Sequence, residues 1–116
     1  VMIHHPPIRG ATSQHKRLIG IRRFAAAIRT GGAELVLHGH THLNTLYWLD
    51  NHGKRVPVVG IASASQGPGG KKPAAGYNLF SIEGTADNWQ VEWERYRIES
   101  DNVPLALDHR QILIGG

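Results

Sequence analysis

The 116-residue chain carries 13 Lys and Arg against 9 Asp and Glu, for a formal net charge of +4, with 41% hydrophobic residues and no cysteine. That length suits one domain with a core, and the composition is that of a globular protein, not a disordered one. Cysteine's absence excludes disulfides and thiolate metal sites, no apolar run reaches the roughly 18–20 residues of a membrane span, and a basic stretch placed after the first apolar run is no secretory signal.

The expectations that follow are a cytoplasmic location, no membrane partner and a general preference for anions. The opening residues Val1-Met2-Ile3 read as the end of a strand already under way, so the chain is expected to be a fragment. The prolines in His4-His5-Pro6-Pro7 cannot donate ladder hydrogen bonds, and the strand should stop there. Thr12 or Ser13 is the expected N-cap of the next segment, in which Leu18, Ile21, Ala25 and Ile28 recur at steps of three and four. This spacing predicts an amphipathic helix closed by Gly31-Gly32. Residues 34–37 then read as a short buried strand, which completes a βαβ unit with a parallel pair.

Beyond His42 the pattern becomes antiparallel. Residues 46–49 and 56–61 flank the polar turn DNHGKR and predict a β-hairpin. The stretch SASQGPGGKKPAAG reads as a mobile loop, residues 77–82 as a strand, and residues 84–88 as a turn. In residues 89–98 the apolar positions run Trp89, Val91, Trp93 and then shift to Tyr96 and Ile98, which predicts a bulge near Glu94 or Arg95. Residues 99–116 show no period and are expected to be an extended tail. The fold class is therefore mixed α/β, α+β in its second part, expected as a single domain over 1–116. Within it, 1–43 form the βαβ unit, 44–98 an antiparallel second-sheet segment, and 99–116 the tail.

The chemistry gathers in LVLHGHTHLN, where His38, His40 and His42 fall within five positions. In a parallel βαβ unit both strands present their C-terminal ends at one edge, where ligand sites of open α/β sheets lie. His4 and the residue 38–42 cluster should therefore meet in space. Alternation in extended backbone aims His40 and His42 into one site, with only one of His4 and His5 facing it, and Gly39 supplies the bend. A single histidine is ordinarily a hydrogen-bonded structural residue, but His4, His40 and His42 at one edge read as metal ligands suited to Zn, Fe, Mn, Co or Ni. His38, on the strand side of Gly39, is expected to support the site from behind. His15, His52 and His109 are expected at the surface.

The HHPP of residues 4–7, a helix, and then LHGHTH at 37–42 resemble the C-terminal half of the calcineurin-like metallophosphoesterases. That family carries a strand ending in His and a later Gly-His-x-His, here Gly39-His40-Thr41-His42. YNLFSIEG followed by a Trp-containing strand resembles its second-sheet part. The resemblance covers most of residues 1–98 and implies half of a metallophosphoesterase-type β-sandwich flanked by helices. It also implies a binuclear centre of divalent or trivalent ions (Mn, Fe or Zn) that hydrolyses a phosphate mono- or diester. His4 and His40 would bind one ion and His42 the other, with His5 beside the site and no catalytic residue assigned. Two such ions clamp the phosphate oxygens and lower the pKa of a bound water.

The family's N-terminal half also supplies an Asp-x-His motif, a bridging Asp in Gly-Asp-x-x-Asp, and an Asn-His pair. None of these motifs is read as occurring here: the sequence has no Gly-Asp, and Asn44, Asn51, Asn78, Asn88 and Asn102 sit in the wrong order. Without a bridging carboxylate, cations about 3.5–4 Å apart repel strongly. The 116 residues alone are thus expected to be inactive, to hold at most one weakly bound ion, and to need the missing N-terminal half. Apolar faces meant for absent strands favour a homo-oligomer or swapped assembly.

An alternative without catalysis is a polyanion- or nucleic-acid-binding module using Lys16, Arg17, Arg22, Arg23, Arg29, Lys71 and Lys72. Against nucleic acid, no aromatics interleave with these charges as stacking requires. A barrel amidohydrolase also uses His-x-His, but on an early barrel strand, and the long antiparallel run argues against it.

Overall fold

The computed structural model describes residues 1–13, 15–100 and 105–115. It is mixed α/β, with two sheets and one helix among the described residues. The chain divides into two compact units, Val1–Ile61 and 62–116.

The first unit runs β1 (Met2–Ile3), α1 (Ile21–Gly31), β2 (Val36–His38), β3 (Thr45–Asn51) and β4 (Lys54–Gly60), with sheet order β1-β2-β4-β3. β1 and β2 are parallel, as the βαβ pattern predicts. The helix starts later than expected. Gly20, in a left-handed conformation, precedes Ile21, and no side chain caps it, so Thr12 and Ser13 do not serve as the N-cap. Leu18 lies ahead of the helix, where its N–H donates to the Pro6 carbonyl at 3.0 Å. The C-terminus matches: Gly32 at φ 74 donates to the Ile28 carbonyl at 2.8 Å. Ile28 buries against Val36, Val56 and Val58, with Phe24, Tyr47 and Leu49 packed around them.

The hairpin β3–β4 forms as the sequence predicts but belongs to the first sheet, not to a second one. β4 pairs in parallel with β2 (Val36↔Val58, His38↔Gly60) and antiparallel with β3 (Thr45↔Gly60, Asn51↔Lys54). Its residues 56–60 are buried without interruption, the pattern of a strand with neighbours on both sides and both faces covered. Pro57 is tolerated because β2 pairs only with Val58, Val59 and Gly60, so nothing on that side requires its missing N–H. The turn is His52-Gly53, with φ of 51 and 80, the left-handed pair a two-residue hairpin needs.

The second unit is an antiparallel sheet of β5 (Gly76–Thr85), β6 (Asn88–Arg97) and β7 (Ala106–Ile114), in that order. β5 extends past the expected end, leaving Ala86-Asp87 as the turn. Much of the expected tail is β7. Its polar–apolar alternation is broken by two extra residues, Leu113 and Asp108, skipped between Val91↔Ile114 and Glu92↔Ile112 and between Arg95↔His109 and Tyr96↔Leu107. A bulge thus lies opposite Arg95, as β6's pattern predicts, but the extra residue belongs to the partner strand. Asp108 there accepts from Arg95 Nε at 2.7 Å and Arg97 Nε at 3.0 Å. Val91, Trp93 and Leu113 form the buried centre, and Trp93 Nε1 donates to Asn78 Oδ1 at 3.0 Å. His109, expected at the surface, is half-buried against Trp93 with ring centroids 4.9 Å apart.

Candidate metal centre

The parallel pairing of β1 and β2 brings their C-terminal ends together, and the ladder continues one step past β1: Gly39 N–H donates to the His4 carbonyl at 3.1 Å. The His4 and His40 side chains meet just beyond, with His4 Nε2 and His40 Nδ1 3.0 Å apart. His5 completes the group. Its ring centroid lies 4.9 Å from that of His4 and 4.5 Å from that of His40, and one nitrogen from each of the three falls within 4.8 Å of the others.

His5 therefore faces the site together with His4, contrary to the alternation rule. The rule fails because the strand ends at Ile3 and residues 4–5 form a bend, where successive side chains need not point to opposite sides. The same cause separates His42 from His40. Both have left-handed backbone, φ 68 and 58, and Thr41 N–H donates back to the Gly39 carbonyl at 2.8 Å, closing a three-residue turn around His40. The bend is made at His40 and His42, not at Gly39. His42 is exposed and lies outside the three-histidine group. Side chains of this size adopt positive φ at a cost of about 1–3 kcal/mol, held only where the surroundings impose it.

His38 takes the supporting place the sequence assigns it. It is the last residue of β2, only 4% exposed, and its Nδ1 bonds the Gly39 carbonyl at 3.0 Å. A carbonyl only accepts, so Nδ1 carries the proton and Nε2 keeps its lone pair. That Nε2 faces Gly60, where an added Cβ would stand 2.9 Å away, and it has no hydrogen-bond partner among the described residues. Burial holds the His38 pKa below the ordinary imidazole value, against the smaller upward pull of the Gly39 carbonyl. His40 is also lowered, first by desolvation, then by the nearby positive charge of His5, His4, Lys16 and His42.

Three neutral imidazoles with an open side fit a single borderline ion such as Zn²⁺. Ligand nitrogens about 2.0–2.1 Å from such an ion stand roughly 3.3 Å apart in a tetrahedral set, close to the 3.0 Å between His4 and His40. No carboxylate belongs to the group among the described residues, so it does not fit a binuclear centre by itself. Contrary to the reading that neither motif occurs, Asp50-Asn51-His52 spell both Asp-x-His and Asn-His, yet they sit at the hairpin tip, where Asp50 Oδ1 accepts from Gly53 N–H at 3.3 Å. The strand β3 runs from Thr45, level with His38, to Asn51. At about 3.3 Å per residue this puts the tip some 20 Å from the histidine edge. His15 and His52 are exposed and outside the group.

No protein-family profile and no curated protein matches the sequence. Among solved structures, wild-type Vps29 from Entamoeba histolytica complexed with Zn²⁺ matches with a TM-score of 0.50 and 17% identity, over 78% of this chain and 46% of that one. A double mutant of the same protein gives 0.51 and 18%, over 81% and 48%, and a single mutant 0.50 and 16%, over 96% and 53%. The fold is Vps29-like. The chain spans about half the length of these Vps29 structures. At such identities the likeness is one of fold, and the chemistry must be argued from this chain's own side chains. No helix among the described residues is long and apolar enough to cross a membrane.

Proposed function

We propose that this chain is the histidine-bearing half of a metal-dependent phosphoesterase, hydrolysing a phosphate mono- or diester once carboxylate ligands from a complementary segment complete the centre. The observation that carries this reading is the convergence of His4, His5 and His40 at the C-terminal edge of the parallel strands. The Vps29-like fold and the coverage of about half of those structures support it. His4, His5 and His40 hold one ion, and His42, exposed on the next left-handed residue but one, is the donor left for a second. When bound, the metal supplies Lewis-acid polarisation of the phosphoryl oxygens and an acidified water. His38 holds the Gly39 carbonyl and so sets the turn that aims His40. Tyr77, Leu79, Leu107 and Ile112 expose apolar surface on the second sheet, which supports a covering partner or a second copy.

Equilibrium dialysis against Zn²⁺ and Mn²⁺, with metal counted per chain, tests the reading. One ion per chain, lost in His4→Ala and His40→Ala, is expected, together with no turnover of bis(p-nitrophenyl) phosphate by the chain alone. A chain that takes up no metal, or variants that both take up as much metal as the parent, would refute it.

A further inference from the structure

The loop before α1 and the first turn of that helix enclose an open cavity of about 400 Å³ into which four arginines converge: Arg9, Arg17, Arg22 and Arg23. Among the described residues no aspartate or glutamate lines it, and the helix has no acidic residue in its first turn. None of the four arginines is ion-paired among the described residues, where the paired ones are Arg95, Arg97 and Arg110. The arrangement is held by main-chain bonds. Ala11 N–H to the Ile8 carbonyl closes the turn that carries Arg9, and Leu18 N–H to the Pro6 carbonyl pins the residue after Arg17. Phe24 N–H to the Gly20 carbonyl opens the helix that carries Arg22 and Arg23.

Guanidinium groups in one cavity without a carboxylate repel one another, and an anion relieves that repulsion. The planar guanidinium fork matches phosphate oxygens in pairs. An organic diphosphate carries one charge on its inner phosphate and about −1.5 to −2 on its terminal one near neutral pH, so four guanidiniums more than offset it. The remaining wall is apolar, from Leu18, Ile21 and Ile19, the last 98% exposed and without a neighbour to cover it. Such a wall suits the organic part of a ligand better than a bare inorganic ion.

We propose that Arg9, Arg17, Arg22 and Arg23 form a binding site for a soluble organic diphosphate, with the phosphates on the guanidiniums and the organic part on Ile19. It shares no residue with the histidine group, so the two stand or fall separately. The lining holds no aromatic side chain for base stacking, which disfavours a single-stranded nucleic acid.

The test is calorimetric titration of the full chain with ADP, pyrophosphate and inorganic phosphate, at fixed ionic strength and in chelator so that no metal bridges ligand to histidine. Saturable binding at one site is expected for ADP and pyrophosphate, with inorganic phosphate at least tenfold weaker. Arg17→Gln with Arg22→Gln should weaken ADP at least tenfold, Arg17→Lys less, while Arg29→Gln at the far end of the helix and His4→Ala with His40→Ala leave it unchanged. Circular dichroism and the melting temperature report whether each variant folds, and Arg17→Lys keeps the comparison open if the double variant does not. Equal affinity in the lining variants and the parent, or equal loss in Arg29→Gln, would overturn the proposal. So would ADP and pyrophosphate failing to bind while the chain sediments with vesicles bearing phosphomonoester headgroups, or binds a single-stranded oligonucleotide.

Discussion

The Nε2 atom of His4 and the Nδ1 atom of His40 lie 3.0 Å apart across 36 positions of sequence. The contact is set by the backbone: parallel β1 and β2 end at one level, and the Gly39 N–H reaches the His4 carbonyl. Two imidazoles at that distance share a hydrogen bond, and a metal ion would take the same lone pairs. Removing either ring therefore has a specific expected effect. His4→Ala and His40→Ala should each lower Zn²⁺ affinity at least about tenfold, given that even partners outside the ligand set are worth ~10–100-fold. His5→Ala should do the same, and His42→Ala should leave the first ion in place. Competition with a chromophoric chelator measures all four.

Metal binding should fall with acid, because only neutral imidazole donates a lone pair. The His40 pKa is displaced downward, first by desolvation and then by its positively charged neighbours. Its proton therefore competes with metal only at a pH below the ordinary imidazole value of 6.5. Protonation of His40 should therefore weaken metal binding only as pH falls below that value. Zn²⁺ affinity against pH, with histidine ring shifts followed by NMR, checks it.

His38 links acid to stability. Its folded-state pKa is lowered by burial, so below the unfolded-state value the unfolded chain binds the proton more readily than the folded one. The contribution is fully present above the unfolded pKa and is lost as pH falls through the folded value. Denaturant midpoints should thus drop on acidification below about pH 6.5, where free imidazole titrates. His38→Gln should flatten that part of the curve. An unchanged slope in the variant would count against the assignment.

Gly60 lies between His38 on β2 and Thr45 on β3. A Cβ there would meet His38 Cε1 at 2.8 Å and Nε2 at 2.9 Å, inside van der Waals contact. Gly60→Ala should destabilise the chain by about 1–3 kcal/mol through overpacking. Combined with His38→Ala the cost should be less than additive, since the clash then loses one partner. Urea unfolding of the two single variants and the double variant reads the coupling.

In the second sheet Trp93 is 2% exposed and bonded to Asn78, whereas Ile112 is 58% exposed. Trp93→Ala should cost about 3–5 kcal/mol, part of it from the Asn78 oxygen left without its donor. Ile112→Ala should fall within about 0.5 kcal/mol of the parent. Thermal melts rank the pair.

Patterns with a fixed local period were legible in the sequence. The three-and-four spacing of Leu18, Ile21, Ala25 and Ile28 marked α1, although Leu18 lies ahead of it, and the polar turn with Asn51 and Gly53 between two apolar runs marked the hairpin. The meeting of His4 and His40 was legible too, because a parallel βαβ unit has only one C-terminal edge. Residues where the period breaks were not. His5 lies with His4 and His40 while His42 lies apart, because alternation holds only in extended backbone, and the chain bends at residues 4–5 and turns left-handed at 40 and 42. β7 was hidden for the same reason, its alternation interrupted by the extra residues Asp108 and Leu113 that only pairing with β6 reveals. The sequence by itself determined which side chains carry the chemistry and at which edge they gather, since local periodicity and chain connectivity are properties of the chain alone. Only the tertiary structure decided which of the histidines come together at that edge and that the hairpin joins the first sheet. It also decided that four arginines scattered over fifteen positions surround one cavity, because these depend on the path of the backbone between periodic segments.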